Sequence, residues 1–79
     1  PNPTNNSCTI SGNLLLPAKD INITINDLSG RYIKQIYKGN IVAGQFSYKF
    51  DTSELFTGIY NIVIKVDDKT LIKKLIIER

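Results

Sequence analysis

The sequence predicts an all-β fold: a single small antiparallel β-sandwich of about six to seven strands. Three observations carry that prediction. Apolar residues recur at every second position along most of the chain, as in strands that bury one face. Clusters of Gly, Pro, Asn, Asp and Ser interrupt these stretches at short intervals, and such residues set turns. No stretch holds the three- and four-residue apolar spacing of a helix long enough to bury a helical face.

Residues 1–6 (Pro1-Asn2-Pro3-Thr4-Asn5-Asn6) lack periodicity and carry two of the prolines, so they read as a linker from something upstream. Residues 7–79 are the sandwich. In residues 7–16, Cys8, Ile10, Gly12 and Leu14 alternate with Ser7, Thr9, Ser11 and Asn13. Gly12 in mid-strand is expected to mark a bulge or a split. Pro17-Ala18-Lys19-Asp20 reads as a turn. Residues 21–26 are the cleanest strand, with Ile21, Ile23 and Ile25 on one face and Asn22, Thr24 and Asn26 on the other. Asp27-Leu28-Ser29-Gly30 then turns the chain, Gly30 being free to take a positive φ. In residues 31–38 either Tyr32 with Ile36 or Ile33 with Tyr37 faces the core.

Gly39 and Gly44 bound a loop. Residues 45–50 alternate again and set Phe46, Tyr48 and Phe50 on one face. Residues 51–57 alone have helix-start character: Asp51 can cap one turn, with Glu54 three residues on. The stretch is too short for an independent helix, so a turn or 3₁₀ connection with Leu55 plugging the core is expected. Gly58 lets the chain turn into the last hairpin. A seventh strand has room in residues 40–44 or in a split of residues 7–16. Short loops between consecutive strands favour antiparallel pairing, which makes the sandwich immunoglobulin-like.

The last hairpin organises the molecule. Two runs rich in β-branched residues flank Asp67-Asp68, and Asp tolerates the left-handed conformation of a tight turn. A two-residue turn there aligns Tyr60, Ile62, Ile64 and Val66 with Leu71, Leu75 and Ile77. The opposite face still holds Ile59, Val63, Ile72 and Ile76. Two readings stand: a neighbouring strand or loop covers that second face, or it docks another protein.

Net charge is +3. Up to residue 68 the basic and acidic side chains balance, and Lys69, Lys73, Lys74 and Arg79 against Glu78 carry the excess. Lysine at a strand edge also has a protective meaning, because it blocks edge-to-edge aggregation. The excess is too small and local for nucleic acid, which needs a broad basic face.

Catalysis finds no support. There is no His, so the commonest general base is missing. One cysteine, Cys8, rules out an internal disulfide and reads as a small core residue. The acids are scattered at turns, which argues against a metal site, and no cofactor is implied. No apolar run approaches the roughly 20 residues of a transmembrane helix. No segment reads as a signal peptide. Opening on Pro1-Asn2-Pro3 without an initiator methionine, the chain reads as a piece of something longer.

The order of short motifs is informative. Pro1-Asn2-Pro3 comes first, then Asp27-Leu28-Ser29-Gly30-Arg31, Ala43-Gly44-Gln45-Phe46, Gly58-Ile59-Tyr60 and finally Lys74-Leu75-Ile76-Ile77. End to end, this resembles the C-terminal sorting domain of proteins secreted by the Bacteroidetes type IX (Por) system. The resemblance casts Asp27, Gly30, Arg31, Gly44, Gly58 and Tyr60 as the family's structural motif. It casts Lys73, Lys74, Leu75, Ile76, Ile77, Glu78 and Arg79 as the segment read by the translocon. The chain departs from the pattern in ending on Glu78-Arg79, where many members stop within a residue or two of the apolar run.

The resemblance further implies an upstream cargo domain, passage through the periplasm, and delivery to the cell surface or extracellular space. The implied partners are the outer-membrane translocon and a sortase and attachment complex, the sortase removing the domain. The competing reading is a non-catalytic immunoglobulin- or fibronectin-like accessory module that binds carbohydrate. That reading needs an exposed aromatic platform, for which Tyr32, Tyr37 and Tyr48 are the candidates.

Overall fold

The computed structural model describes residues 7–78 and the side chain of every one of these but Lys19. Residues 1–6, expected to be a linker, and Arg79 lie outside the described residues. The strands are β1 (Ser7–Leu14), β2 (Ala18–Asp27), β3 (Tyr32–Ile41), β4 (Gly44–Asp51), β5 (Gly58–Val66) and β6 (Lys69–Ile77). No helix occurs among the described residues. The strands form two sheets, one in the order β3-β2-β5-β6 and one of β1 with β4. Every pairing is antiparallel. The chain is therefore an all-β sandwich in which β1 and β4, separated in sequence by the β2–β3 hairpin, pair with each other in the second sheet.

Period-two alternation puts the core where the sheets face each other. Ile21, Ile23 and Ile25 of β2, Ile62 and Ile64 of β5, and Leu75 and Ile77 of β6 are buried. Ile10 and Phe50 meet them from the smaller sheet, while Ala18, Ile41 and Leu55 close the ends. Burying each large aliphatic side chain contributes about 1.5–3 kcal/mol, so the isoleucines of β2 and β5 form the anchor of the fold.

The structure changes four local expectations. β2 starts at Ala18, which pairs with Ile41; the expected turn at residues 17–20 shrinks to the preceding residues and leaves Leu15 and Leu16 exposed. β3 reaches Ile41, so residues 40–44 hold no separate strand. Gly12 marks neither bulge nor split, since β1 pairs with β4 without interruption from Ser7 to Leu14. A Cβ at Gly12 would lie 2.8 Å from Cζ of Phe46, its cross-strand partner, so the missing side chain gives that ring its place.

Neither face proposed for β3 is right alone. Its register against β2 shifts between Ile23 and Thr24 and again between Ile25 and Asn26. These irregularities leave Ile36 and Ile33 as the extra residues, and a bulged residue can be re-aimed. Ile33, Ile36 and Tyr37 all pack against the core, whereas Tyr32 is exposed. Between β4 and β5 the chain makes a turn and no helix. Asp51 accepts hydrogen bonds from the backbone and hydroxyl of Ser53, the Leu55 N–H donates to the Thr52 carbonyl, and Leu55 plugs the core as expected.

Candidate functional site

The β5–β6 hairpin closes on Asp67-Asp68, with Val66 opposite Lys69. Asp67 takes φ 53°, the left-handed conformation that Asp tolerates. Two bonds tie this turn to the start of β2. The Asp67 N–H donates to the Asp20 carbonyl at 2.8 Å, and the Asp20 N–H donates to Asp67 Oδ1 at 3.1 Å.

From this turn the ladder fixes both faces. Ile62, Ile64, Leu75 and Ile77 are buried on the inner face, and Tyr60 and Val66 pack against the core. Leu71 shares that face but is 59% exposed, because the smaller sheet does not cover it. On the outer face Ile59 stands opposite Ile76 and Val63 opposite Ile72. Ile59, Ile72 and Ile76 are exposed, and Val63 is partly so. This aliphatic stripe faces away from the smaller sheet.

The segment of residues 73–79 thus divides. Leu75 and Ile77 are core residues, 1% and 0% exposed, so their side chains support the fold and do not meet solvent. Lys73, Lys74, Ile76 and Glu78 are exposed, and Arg79 lies outside the described residues. Lys73 is paired with buried Ile62 and leaves the strand on the inner side; Lys74 is paired with Asn61 and leaves on the outer side. Beside these lysines a cleft of about 210 Å³ separates β6 from β1. Thr9 and Ser11 line its far wall. Sequence gave no signal for these two residues, since only the sandwich brings β1 against β6.

The motif residues build turns. Asp27 Oδ1 accepts from the Ser29 N–H at 3.0 Å, the Ser29 hydroxyl at 2.6 Å and the Arg31 N–H at 2.9 Å. Arg31 Nε reaches Asp27 Oδ2 at 3.2 Å. The Ser29 hydroxyl above all, then the Arg31 N–H, holds the Asp27 carboxyl below its ordinary range. Gly30 supplies φ 93° and Gly44 φ 114°. Gly58 has no positive φ and pairs with Ile77 where the chain enters β5. The Tyr60 hydroxyl donates to the Phe56 carbonyl at 2.8 Å and pins the β4–β5 loop, while the Phe56 ring is left 86% exposed. Phe56 is a surface aromatic that alternation did not reveal, because it sits in a loop.

No three metal-ligating side chains gather among the described residues, and no helix is long and apolar enough to cross a membrane. A turn locked by Asp27, Gly30 and Arg31, followed by a hairpin that exposes aliphatics and lysines, agrees with one comparison. The family model described as the secretion system C-terminal sorting domain matches residues 1–78. The chain belongs to that family. No curated protein and no solved structure matches it. A sorting domain of this kind is a secretion signal for the type IX system, and it directs export to the cell surface or the extracellular space. The sorting-domain family is not itself catalytic.

Proposed function

We propose that this sorting domain carries an attached upstream cargo through the periplasm and is read by the type IX outer-membrane translocon at its β5–β6 hairpin. A surface sortase then cleaves the domain from the cargo, and the attachment machinery anchors or releases the product. The domain is a substrate in that sequence and contributes no catalysis of its own.

The observation that supports this reading is the division of β6. Leu75 and Ile77 hold the strand in the core, while Ile72, Lys73, Lys74 and Ile76 remain exposed on a folded surface. Exposed contiguous aliphatics on a small domain mark interaction surfaces. The carbohydrate reading has less support. Tyr37 and Tyr48 stack on each other at 4.4 Å and pack against the core, which leaves Tyr32 without a neighbouring tyrosine platform.

The test is a secretion assay in a Bacteroidetes host with a working type IX system. Residues 1–79 are fused behind a signal peptide and a fluorescent reporter. Deleting residues 75–79 would be a poor control, because it removes Leu75 and Ile77 from the core. The double variant Ile72→Asp/Ile76→Asp changes only exposed positions. The expected result is export of the parent fusion, with the variant folded but held in the periplasm. If the parent fusion stays periplasmic in a host that exports its own cargo, the proposal fails. If both fusions are exported equally, recognition lies elsewhere on the domain.

A further inference from the structure

The β6 side of the sandwich is open in both layers. Among the described residues, β6 ends the larger sheet and β1 ends the smaller one. The cleft between them is lined by Thr9 and Ser11 of β1 and by Lys73 and Lys74 of β6, over buried Ile62 and Leu75. No carboxylate among the described residues pairs with either lysine. Two unneutralised ammonium groups, Lys73 on the inner side of the edge and Lys74 on the outer side, are a chemistry that receives carboxylates.

Strand geometry says how a carboxylate would arrive. In an antiparallel ladder every second residue turns its backbone N–H and C=O away from its partner strand. An extended segment lying along residues 70–74 would take up those groups, and its side chains would alternate between the two faces. The side chain beside Lys73 would enter the cleft. On the outer face, the side chain beside Lys74 would follow the aliphatic neighbourhood of Ile72. Leu71-Ile72-Lys73-Lys74-Leu75-Ile76 is therefore complemented by two acidic residues flanked by aliphatic ones.

A second copy of β6 fits poorly: the antiparallel pairing with greatest overlap of residues 69–77 sets Lys73 directly against Lys73 of the other copy, and like charges directly opposite are destabilising. Edge lysines suppress this kind of self-pairing.

The geometry points to a carboxylate-reading strand site. An extended acidic–aliphatic segment of a partner protein adds to the β6 edge at residues 70–74 and sets one acidic side chain beside Lys73 in the cleft and the next beside Lys74 on the outer face. That the partner belongs to the export apparatus rests on the sorting reading above; the chemistry of the site does not.

The site is tested by NMR titration of the isotope-labelled chain. The probes are three synthetic peptides of about ten residues, a typical strand length, of alternating Val and Thr around a central Glu-Glu, Gln-Gln or Lys-Lys. The Glu-Glu peptide is expected to shift the amides of residues 9–11 and 70–74. Its affinity should exceed that of the Gln-Gln peptide by roughly fivefold or more and fall with added salt, as screened charge pairs do. The variant Lys73→Glu/Lys74→Glu should reverse the preference toward the Lys-Lys peptide, with the rest of its spectrum unchanged.

Equal affinities for the three peptides, shifts confined to the β3 edge, or no binding by any of them would overturn the site. The same variant in the secretion assay separates the two readings. If parent and variant fusions are exported equally, the charge site plays no part in export and the sorting reading stands. If the parent is not exported but the Glu-Glu peptide binds, the sorting reading falls and the site stands.

Discussion

Asp27 shows how much one residue settles. Its carboxylate gathers the Ser29 hydroxyl, two backbone N–H groups and the Arg31 guanidinium, and these partners lower its pKa, the Ser29 hydroxyl most. A carboxyl whose pKa is lower in the folded state stabilises that state fully above the unfolded value of about 3.9. The contribution is lost as pH falls through the lower folded value. Asp27→Asn should therefore be less stable than the parent at about pH 7, with the gap closing toward about pH 2. Urea denaturation at several pH values checks this; a gap independent of pH would mean that the charge plays no part. Alternation could not reveal this arrangement. The Asp-x-x-Gly-Arg spacing marked only the turn, and Gly30 at φ 93° explains why a glycine is needed there.

At the scale of elements, β6 carries two jobs on one strand. Its alternating pattern was legible in the sequence, and the two-residue turn fixed the register. The pattern could not say which apolar face would be covered, since both faces of the hairpin are aliphatic. Sheet pairing answers that: the β1–β4 pair lies over the face of Ile62, Ile64, Leu75 and Ile77 and leaves Ile72 and Ile76 in the open. Leu75→Ala should cost about 2–5 kcal/mol, the usual range for deleting a buried leucine side chain. Ile72→Ala should stay within roughly 0.5 kcal/mol, as surface substitutions do. Denaturant midpoints of the two variants give the comparison, and similar losses would show that Ile72 is covered in solution.

At the scale of the whole molecule, the two sheets are joined at one side by the stacked rings of Tyr37 on β3 and Tyr48 on β4. Phe46 tilts against Tyr48 at a ring separation of 6.0 Å. Burial first, and then the Tyr37 hydroxyl beside it, raises the Tyr48 pKa. A raised phenol pKa gives a contribution that is full below the unfolded value of about 10 and lost as pH climbs through the folded value. The parent should lose stability above about pH 10 more steeply than Tyr48→Phe, which has no proton to release there. Thermal unfolding across the alkaline range reads the difference; parallel curves would place the alkaline transition on another group.

What the sequence determined by itself was local and periodic. Alternation gave the six strands and the buried isoleucines of β2. Asp, Ser and Gly at fixed spacing gave the turns, and the order of those motifs pointed to the family. These properties are written in neighbouring residues, because pleat and turn geometry act over two to four positions. The tertiary structure alone decided which sheet each strand joins, where β3 bulges, and which of two equally aliphatic hairpin faces is core. It also brought Thr9 and Ser11 beside Lys73 and Lys74. Those outcomes depend on pairing between strands far apart in the chain, and side-chain periodicity is the same whichever strand becomes the partner.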